Sequence, residues 1–277
     1  MKDFSNFRLV ICDIDGTLAP KHSVLTPQAV QVIHDLKDKG VYFGIASGRP
    51  LFQIFPTMKE WGFDDFDVVI GLNGGEVHDG ITQEDHTYFC VKKEYIPEAL
   101  KIMSPFPTDP SLLRTDYQLF LHDSEMMRQF ANKLVSFKTR VADSVEEFCS
   151  EDTGKLMFRM KEELMPEVEA YLKDHPSEHF SYQKTQLNLM EFCHPQCAKD
   201  YGLQKFCEAH GITMDQVIAF GDMANDIPMM KVAGYSVCLL NGSDETKAAA
   251  SAVTEKTCDD DGWADWMNHH FMPSFIK

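Results

Sequence analysis

Asp13 and Asp15 stand two residues apart at the end of the apolar run Leu9-Val10-Ile11 and are followed directly by Gly16-Thr17. A carboxylate placed there can attack an electrophile, carry a proton or hold a cation, and two of them can divide those tasks. Three more polar groups follow apolar runs elsewhere: Ser47-Gly48-Arg49, Asn73-Gly74-Gly75, and Asp222 with Asn225 and Asp226. Asp13, Asp15, Asp222 and Asp226 amount to four carboxylates whose mutual repulsion calls for a cation or for protonation. A set of oxygen-only ligands favours a hard ion, of which Mg²⁺ is the usual one. The Ser47 hydroxyl, Arg49, the backbone at Gly48 and Gly74, the Asn73 amide and a helix start near Asn225 suit a phosphate. Each motif alone is also what a turn or a helix cap looks like; their order along the chain is the informative part.

These groups share an edge only if the elements before them are parallel strands. The segments 8–14, 41–46, 67–71 and 216–220 are short continuous apolar runs, the pattern of strands buried on both faces of a parallel sheet. Between the first two, residues 26–40 read as a helix, with Thr26 as N-cap, Pro27 at the first position, Val30, Ile33 and Leu36 on one face and Gly40 at the stop. A helix at 51–61 completes a βαβαβ start, which predicts an α/β fold: a Rossmann-like parallel sheet with helices on both faces. In such a sheet the carboxyl ends of the strands lie along one edge, where ligands bind.

From 81 to 187 the rhythm changes to helices near 94–103, 124–136 and 163–173 with strands near 118–122 and 155–160. This region carries 13 basic and 19 acidic residues and is nearer to charge balance than the remainder. It is expected to be an inserted α+β cap domain. The alternating pattern then resumes, with strands at 186–192, 216–220 and 235–240 and helices at 198–210, 225–233 and 244–251. Residues 1–80 and 188–277 are thus expected to form one discontinuous core.

The formal net charge of −17 opposes binding to nucleic acid or to anionic membrane. The eight cysteines form no CxxC pair, and no apolar stretch is long enough to span a bilayer, so free thiols and a cytoplasmic location are expected. Cys193-His194-x-x-Cys197 does not fit a standard zinc spacing. Trp263 and Trp266 are expected in the core and His269-His270 at a solvated helix end. No GxxxxGK[ST] motif is present, so a P-loop nucleotide site is not indicated.

As an ordered set, Asp13-Ile14-Asp15-Gly16-Thr17-Leu18, Ala46-Ser47-Gly48-Arg49, Lys199 after "NLMEFCHPQCA" and Gly221-Asp222-Met223-Ala224-Asn225-Asp226 resemble the motifs of the haloacid dehalogenase superfamily. The resemblance is in particular to its Cof-like phosphatases with a large α/β cap, and Asn241 in "LLNGSDETKAAA" matches the family's late asparagine. It covers both core segments; the inserted region matches in size and position.

The resemblance implies that Asp13 is the nucleophile, forming an aspartyl-phosphate, and that Asp15 protonates the leaving oxygen and then activates water. It implies Mg²⁺ on Asp13, Asp222 and the Asp15 carbonyl, with Ser47 and Lys199 on the phosphoryl oxygens. Asn225 and Asp226 would support the metal waters and orient Lys199. Asp200 departs from the family's usual glycine and is read as a first-turn acid facing solvent.

The expected function is a Mg²⁺-dependent phosphatase acting on a small phosphorylated metabolite, as a monomer or weak homodimer. The alternatives are a phosphomutase or phosphotransferase using the same intermediate, and a non-catalytic phosphate-binding regulatory module. In the cap, Arg114, Tyr117, Arg159 and Lys184 are polar candidates for contact with the leaving group.

Overall fold

The computed structural model describes residues 3–20, 24–131 and 138–275. The chain divides into two compact units, residues 1–87 with 198–277, and residues 88–197.

The first unit begins with β1 (Leu9–Asp13), α1 (Pro27–Asp38), β2 (Tyr42–Ala46), α2 (Leu51–Trp61), β3 (Val68–Gly71), β4 (Glu76–Asp79) and β5 (Glu84–Thr87). The inserted unit supplies α3 (Ile96–Met103), β6 (Asp109–Leu113), β7 (Tyr117–Phe120), α4 (Glu125–Ala131), β8 (Lys138–Val141) and α5 (Val145–Phe148). It ends with β9 (Lys155–Arg159), α6 (Met165–Asp174), β10 (Ser181–Gln186) and β11 (Leu189–Cys193). The first unit then resumes with α7 (Lys199–His210), β12 (Val217–Gly221), α8 (Ile227–Val232), β13 (Tyr235–Cys238), α9 (Asp244–Ala249), β14 (Ala252–Val253) and α10 (Gly262–Trp266).

Its eight strands run in the order β14-β13-β12-β1-β2-β3-β4-β5. The pairs from β14 through β3 are parallel, and β4 and β5 add an antiparallel edge. β1 lies between β2 and β12, so Leu9–Asp13 is buried throughout, which explains its unbroken apolar run. Alternate side chains serve opposite faces. Val10, Cys12, Phe43, Ile45 and Phe220 join one core with α1, α2 and α10. Gly202 of α7 packs on the other face, so close that a Cβ there would lie 2.9 Å from Ile70 and 3.0 Å from Val77. The helix ends follow their sequence signals. The Thr26 hydroxyl accepts the Ala29 N–H, and Gly62 and Gly211 close α2 and α7 in the left-handed conformation.

The inserted unit is a six-stranded sheet, β10-β11-β9-β6-β7-β8, antiparallel except for the β7·β8 pair. One face is covered by α3, α5 and α6 through Ile96, Phe148, Phe158, Val168 and Phe192 among others. An α/β core with an inserted α+β unit is therefore the architecture.

Several expectations need correction. The boundaries lie at 87/88 and 197/198 and not at 80/81 and 187/188, because β5 extends the first sheet by pairing with β4, while β11 pairs with β9 and β10. The apolar run near 186–192 consequently belongs to the inserted sheet. The expected helix 124–136 is observed as α4, and residues 132–137 lie outside the described residues. β4, β5, β6, β8, β10 and β14 have no counterpart among the expected strands. β5 and β10 are largely polar, β8 is a short exposed edge strand, and β6 contains Pro110, all features that weaken a strand signal.

None of the eight cysteines forms a disulfide. Among the described residues no helix is long and apolar enough to cross a membrane.

Candidate active site

Each polar group sits where a strand of the first unit ends. Asp13 is the last residue of β1, Ser47 follows β2, Asn73 follows β3 and Asp222 follows β12. Lys199 opens α7 and is fully buried. Its Nζ donates to Asp13 Oδ1 at 2.5 Å and to Asp226 Oδ1 at 2.6 Å. The other Asp226 oxygen accepts the backbone N–H groups of Asp222 and Met223 at 2.9 and 3.0 Å. Asp226 is thereby committed to holding Lys199 and the turn after β12. Thr17, not singled out from the sequence, donates its hydroxyl to Asp222 Oδ1 at 2.9 Å.

The carboxylate oxygens of Asp13, Asp222 and Asp226 come within 4.8 Å of one another, and all three residues are buried. Three carboxylates around one ammonium leave an excess of negative charge in a desolvated place, so the donor set fits a hard divalent cation. Asp13 gives one oxygen to Lys199 and Asp222 gives one to Thr17, and each keeps a second. The Asp15 carbonyl is a further candidate ligand, because the bridge between Asp15 and Ala19 uses the Ile14 carbonyl and the Gly16 N–H on either side of it. Gly16 has φ +88°, and a Cβ there would lie 2.7 Å from Asp222 Oδ2. Only glycine fits this turn beside the carboxylates.

Burial pushes the Asp13 carboxyl well up, with Lys199 opposing and Asp226 and Asp222 adding to the rise. Burial disfavours the Lys199 charge, yet Asp13 and Asp226 prevail and hold it protonated. Asp222 is pushed up to about 6, by burial first and then by Asp226, against the Thr17 hydrogen bond and Lys199. Its folded pKa exceeds its unfolded one, so between the usual carboxylate range and about pH 6 the folded state binds more protons. In chelator, this group therefore contributes stability that grows as pH falls through that window and is lost as pH rises. Asp222→Asn is accordingly expected to stabilise the cation-free protein at pH 7 by about 1–2 kcal/mol, the gain shrinking towards pH 5. Thermal unfolding in EDTA at the two pH values checks this; a variant midpoint at or below wild type at pH 7 would contradict it.

Asp15 lies outside the carboxylate cluster. Arg49 Nη2 donates to its two oxygens at 2.5 and 2.8 Å, and Arg49 Nη1 donates to Thr57 at 3.3 Å. Arg49, expected on phosphate, is thus engaged with the second aspartate. Ser47 is buried. Its N–H donates to the Ile70 carbonyl at 2.8 Å, and its hydroxyl oxygen accepts the Arg49 N–H at 3.2 Å.

Leu72, Asn73 and Gly74 all have positive φ, at 48°, 50° and 91°. Three such residues in a row, one of them a leucine, are a strained turn that its surroundings must hold. Backbone N–H groups of Leu72 and Asn73 donate to the Arg49 and Ser47 carbonyls, which docks this turn on the Ser47 loop. The turn brings the Asn73 amide beside Gly48, and Asn225 Nδ2 donates to Asn73 Oδ1 at 3.2 Å. Gly74 approaches α7 so closely that a Cβ would sit 2.0 Å from the Ala198 carbonyl oxygen.

The remaining candidates have partners within their own unit. Arg114 donates to the Phe148 carbonyl, the Arg140 guanidinium lies over the Tyr117 ring, Arg159 donates to Asn188, and Lys184 donates to Glu169. Cys193 and Cys197 are buried, and His194 stacks on Phe89. Among the described residues these three are not part of any group of metal-ligating side chains. Asp200 is a half-buried acid in the first turn of α7. Trp263 and Trp266 are buried, and His270 stacks on Trp266.

Comparison with known proteins gives a consistent picture. A family model of haloacid dehalogenase-like hydrolases matches residues 10–267. A Bacillus subtilis protein named 5-amino-6-(5-phospho-D-ribitylamino)uracil phosphatase YitU is 27% identical over 272 residues, covering 95% of this chain and 97% of its own. A second B. subtilis protein of that phosphatase name, YwtE, is 25% identical over 287 residues, covering 93% and 96%. In fold, a crystal structure of a haloacid dehalogenase-like hydrolase from Bacteroides thetaiotaomicron matches with a TM-score of 0.80 at 22% identity, covering 96% of this chain and 100% of its own.

Proposed function

The chain belongs to the haloacid dehalogenase-like hydrolases, and from that premise we propose that it is a Mg²⁺-dependent phosphatase acting on a small phosphorylated metabolite through an aspartyl-phosphate on Asp13. The observation that carries this reading is the buried set in which Asp13 shares Lys199 with Asp226 while a second oxygen of Asp13 and of Asp222 remains for a cation.

In the first step an Asp13 oxygen attacks phosphorus, the ester P–O bond breaks, and Asp15 gives its proton to the leaving alkoxide. In the second, Asp15 as carboxylate takes a proton from water, the water oxygen attacks phosphorus, and Asp13 is released with inorganic phosphate. Arg49 donates to both Asp15 oxygens and so orients this carboxyl group; proton donation to the leaving oxygen requires at least one of these bonds to open. Lys199 and the Ser47 hydroxyl orient the phosphoryl oxygens and balance their charge. Asp13, Asp222 and the Asp15 carbonyl would hold Mg²⁺, which when bound screens Asp13 from a phosphate dianion.

Two relatives named for a phosphate on a ribityl chain support a polyol or sugar phosphate as the substrate class. Eight cysteines that form no disulfide support the cytoplasm as its location.

The test is phosphate release from sugar, polyol, nucleotide and coenzyme phosphates, with Mg²⁺ and with EDTA. Release that depends on Mg²⁺ and needs no acceptor is expected, and Asp15→Ala is expected to lower turnover of a generic aryl phosphate by about 10²–10⁴-fold. Release seen only with a sugar acceptor would mark a phosphotransferase. No release from any compound, or unchanged turnover in Asp15→Ala, would overturn the proposal.

A further inference from the structure

The loop between β13 and α9 touches both carboxylate-bearing turns without supplying a carboxylate. Asn241 Nδ2 donates to the Gly16 carbonyl at 2.8 Å, and Asn241 Oδ1 accepts the Cys258 N–H at 2.7 Å. Two residues on, the Ser243 N–H donates to the Asp222 carbonyl at 2.8 Å. Gly242 between them would bring a Cβ to 3.0 Å from that same carbonyl oxygen. The loop therefore grips the turn after β1 through Asn241 and the turn after β12 through Ser243. The two turns also meet directly, because Thr17, next to Gly16, donates to Asp222 Oδ1.

We infer that Asn241 is a positioning residue of the metal site. It fixes the Gly16 carbonyl, and through Gly16 the neighbouring Asp15 carbonyl and Thr17 hydroxyl, at the spacing from Asp222 that a divalent cation needs. An exposed amide that uses both ends, one on a turn of positive φ beside the carboxylates and one on a distant backbone N–H, is a bracing element; groups that orient metal ligands in this way commonly govern affinity as strongly as a ligand does. The inference rests on Asp13 and Asp222 as metal ligands.

The full-length protein is titrated with Mn²⁺ and free ion is read by electron paramagnetic resonance, alongside thermal unfolding in EDTA. Asn241→Asp keeps the oxygen that accepts the Cys258 N–H but cannot donate to Gly16; Asn241→Ala loses both bonds. Both variants are expected to bind Mn²⁺ roughly tenfold more weakly, while thermal unfolding in EDTA shows a cooperative transition for each. If Asn241→Ala does not fold, Asn241→Asp alone decides. Adding Thr17→Val should cost less in the Asn241→Asp background than in wild type, since both act on one turn. Wild-type affinity in Asn241→Asp would overturn this inference alone and make Asn241 a tether of the 257–262 segment. A wild-type protein that binds no Mn²⁺ would overturn the metal reading and this inference with it.

Discussion

Asp13→Asn is expected to reduce phosphate release by at least ~10⁴-fold while the protein stays folded. The size follows from the two tasks proposed for this one side chain. A neutral amide neither attacks phosphorus nor contributes a charged oxygen to a cation, so the covalent route closes and the site also loses a ligand. Raising Mg²⁺ separates these losses, because saturation can restore occupancy but cannot restore a nucleophile. The variant should remain inactive at saturating Mg²⁺. Acid-quenched wild type should carry a phosphoryl group on the peptide containing residue 13, and the variant none. Stability should not fall in EDTA, since the substitution removes a carboxyl that burial and the neighbouring Asp226 and Asp222 already push towards protonation. Turnover within tenfold of wild type would eliminate Asp13 as nucleophile.

The largest expected effect on folding comes from Lys199→Met. The lysine is fully buried and lies 2.5 Å from Asp13 and 2.6 Å from Asp226. Removing the cation from such a set strands charges that have no water to turn to, at a cost of about 3–5 kcal/mol. In a chain of this size that corresponds to a fall of roughly 10 °C in thermal midpoint. The sign of its pH dependence is set by the raised Asp13 and Asp222 carboxyls: protonation relieves the stranded charge, so the deficit should be smaller at pH 5.5 than at pH 7.5. Asp226→Asn added to Lys199→Met should recover part of the loss, because the two partners are energetically coupled. Activity should fall about 10²–10³-fold even where the variant is folded. Calorimetry at the two pH values checks the first effect and phosphate release the second; an unchanged midpoint at pH 7.5 would show that Lys199 carries no such burden.

The strands that carry the site were readable because each is buried on both faces and so writes an uninterrupted apolar run, as Leu9–Cys12 and Val68–Ile70 do. Helix ends were readable where a residue has one clear reason to be there, as with Thr26 and Pro27 at the start of α1 and Gly211 after α7. What escaped were features fixed by distant partners. β10 is mostly polar and is a strand only because β11 offers it a ladder. Thr17 gives no sign in sequence that its hydroxyl meets a carboxylate 205 residues away. Nor does Arg49 announce Asp15 as its partner, since a basic residue after a strand is as well suited to phosphate. The chemistry of the site residues was legible as types, while their pairing was decided by the sheet order.

That order has a consequence for how the enzyme comes into being. Leu9 lies opposite Tyr42 on one side and Val217 on the other, so β1 can pair early with β2 but has no second neighbour until most of the chain has been made. Such pairing between remote segments is slow, because a long loop must close before any contact rewards it. On the ribosome, residues 88–197 have a separate core and are available to fold first, while the edge of β1 waits for β12. Lys199, Asp222 and Asp226 all come from the late segment. A truncated or half-made chain therefore has Asp13 but neither its counter-charge Lys199 nor Asp222, so the carboxylate cluster, and the chemistry proposed for it, are withheld until the final segment docks.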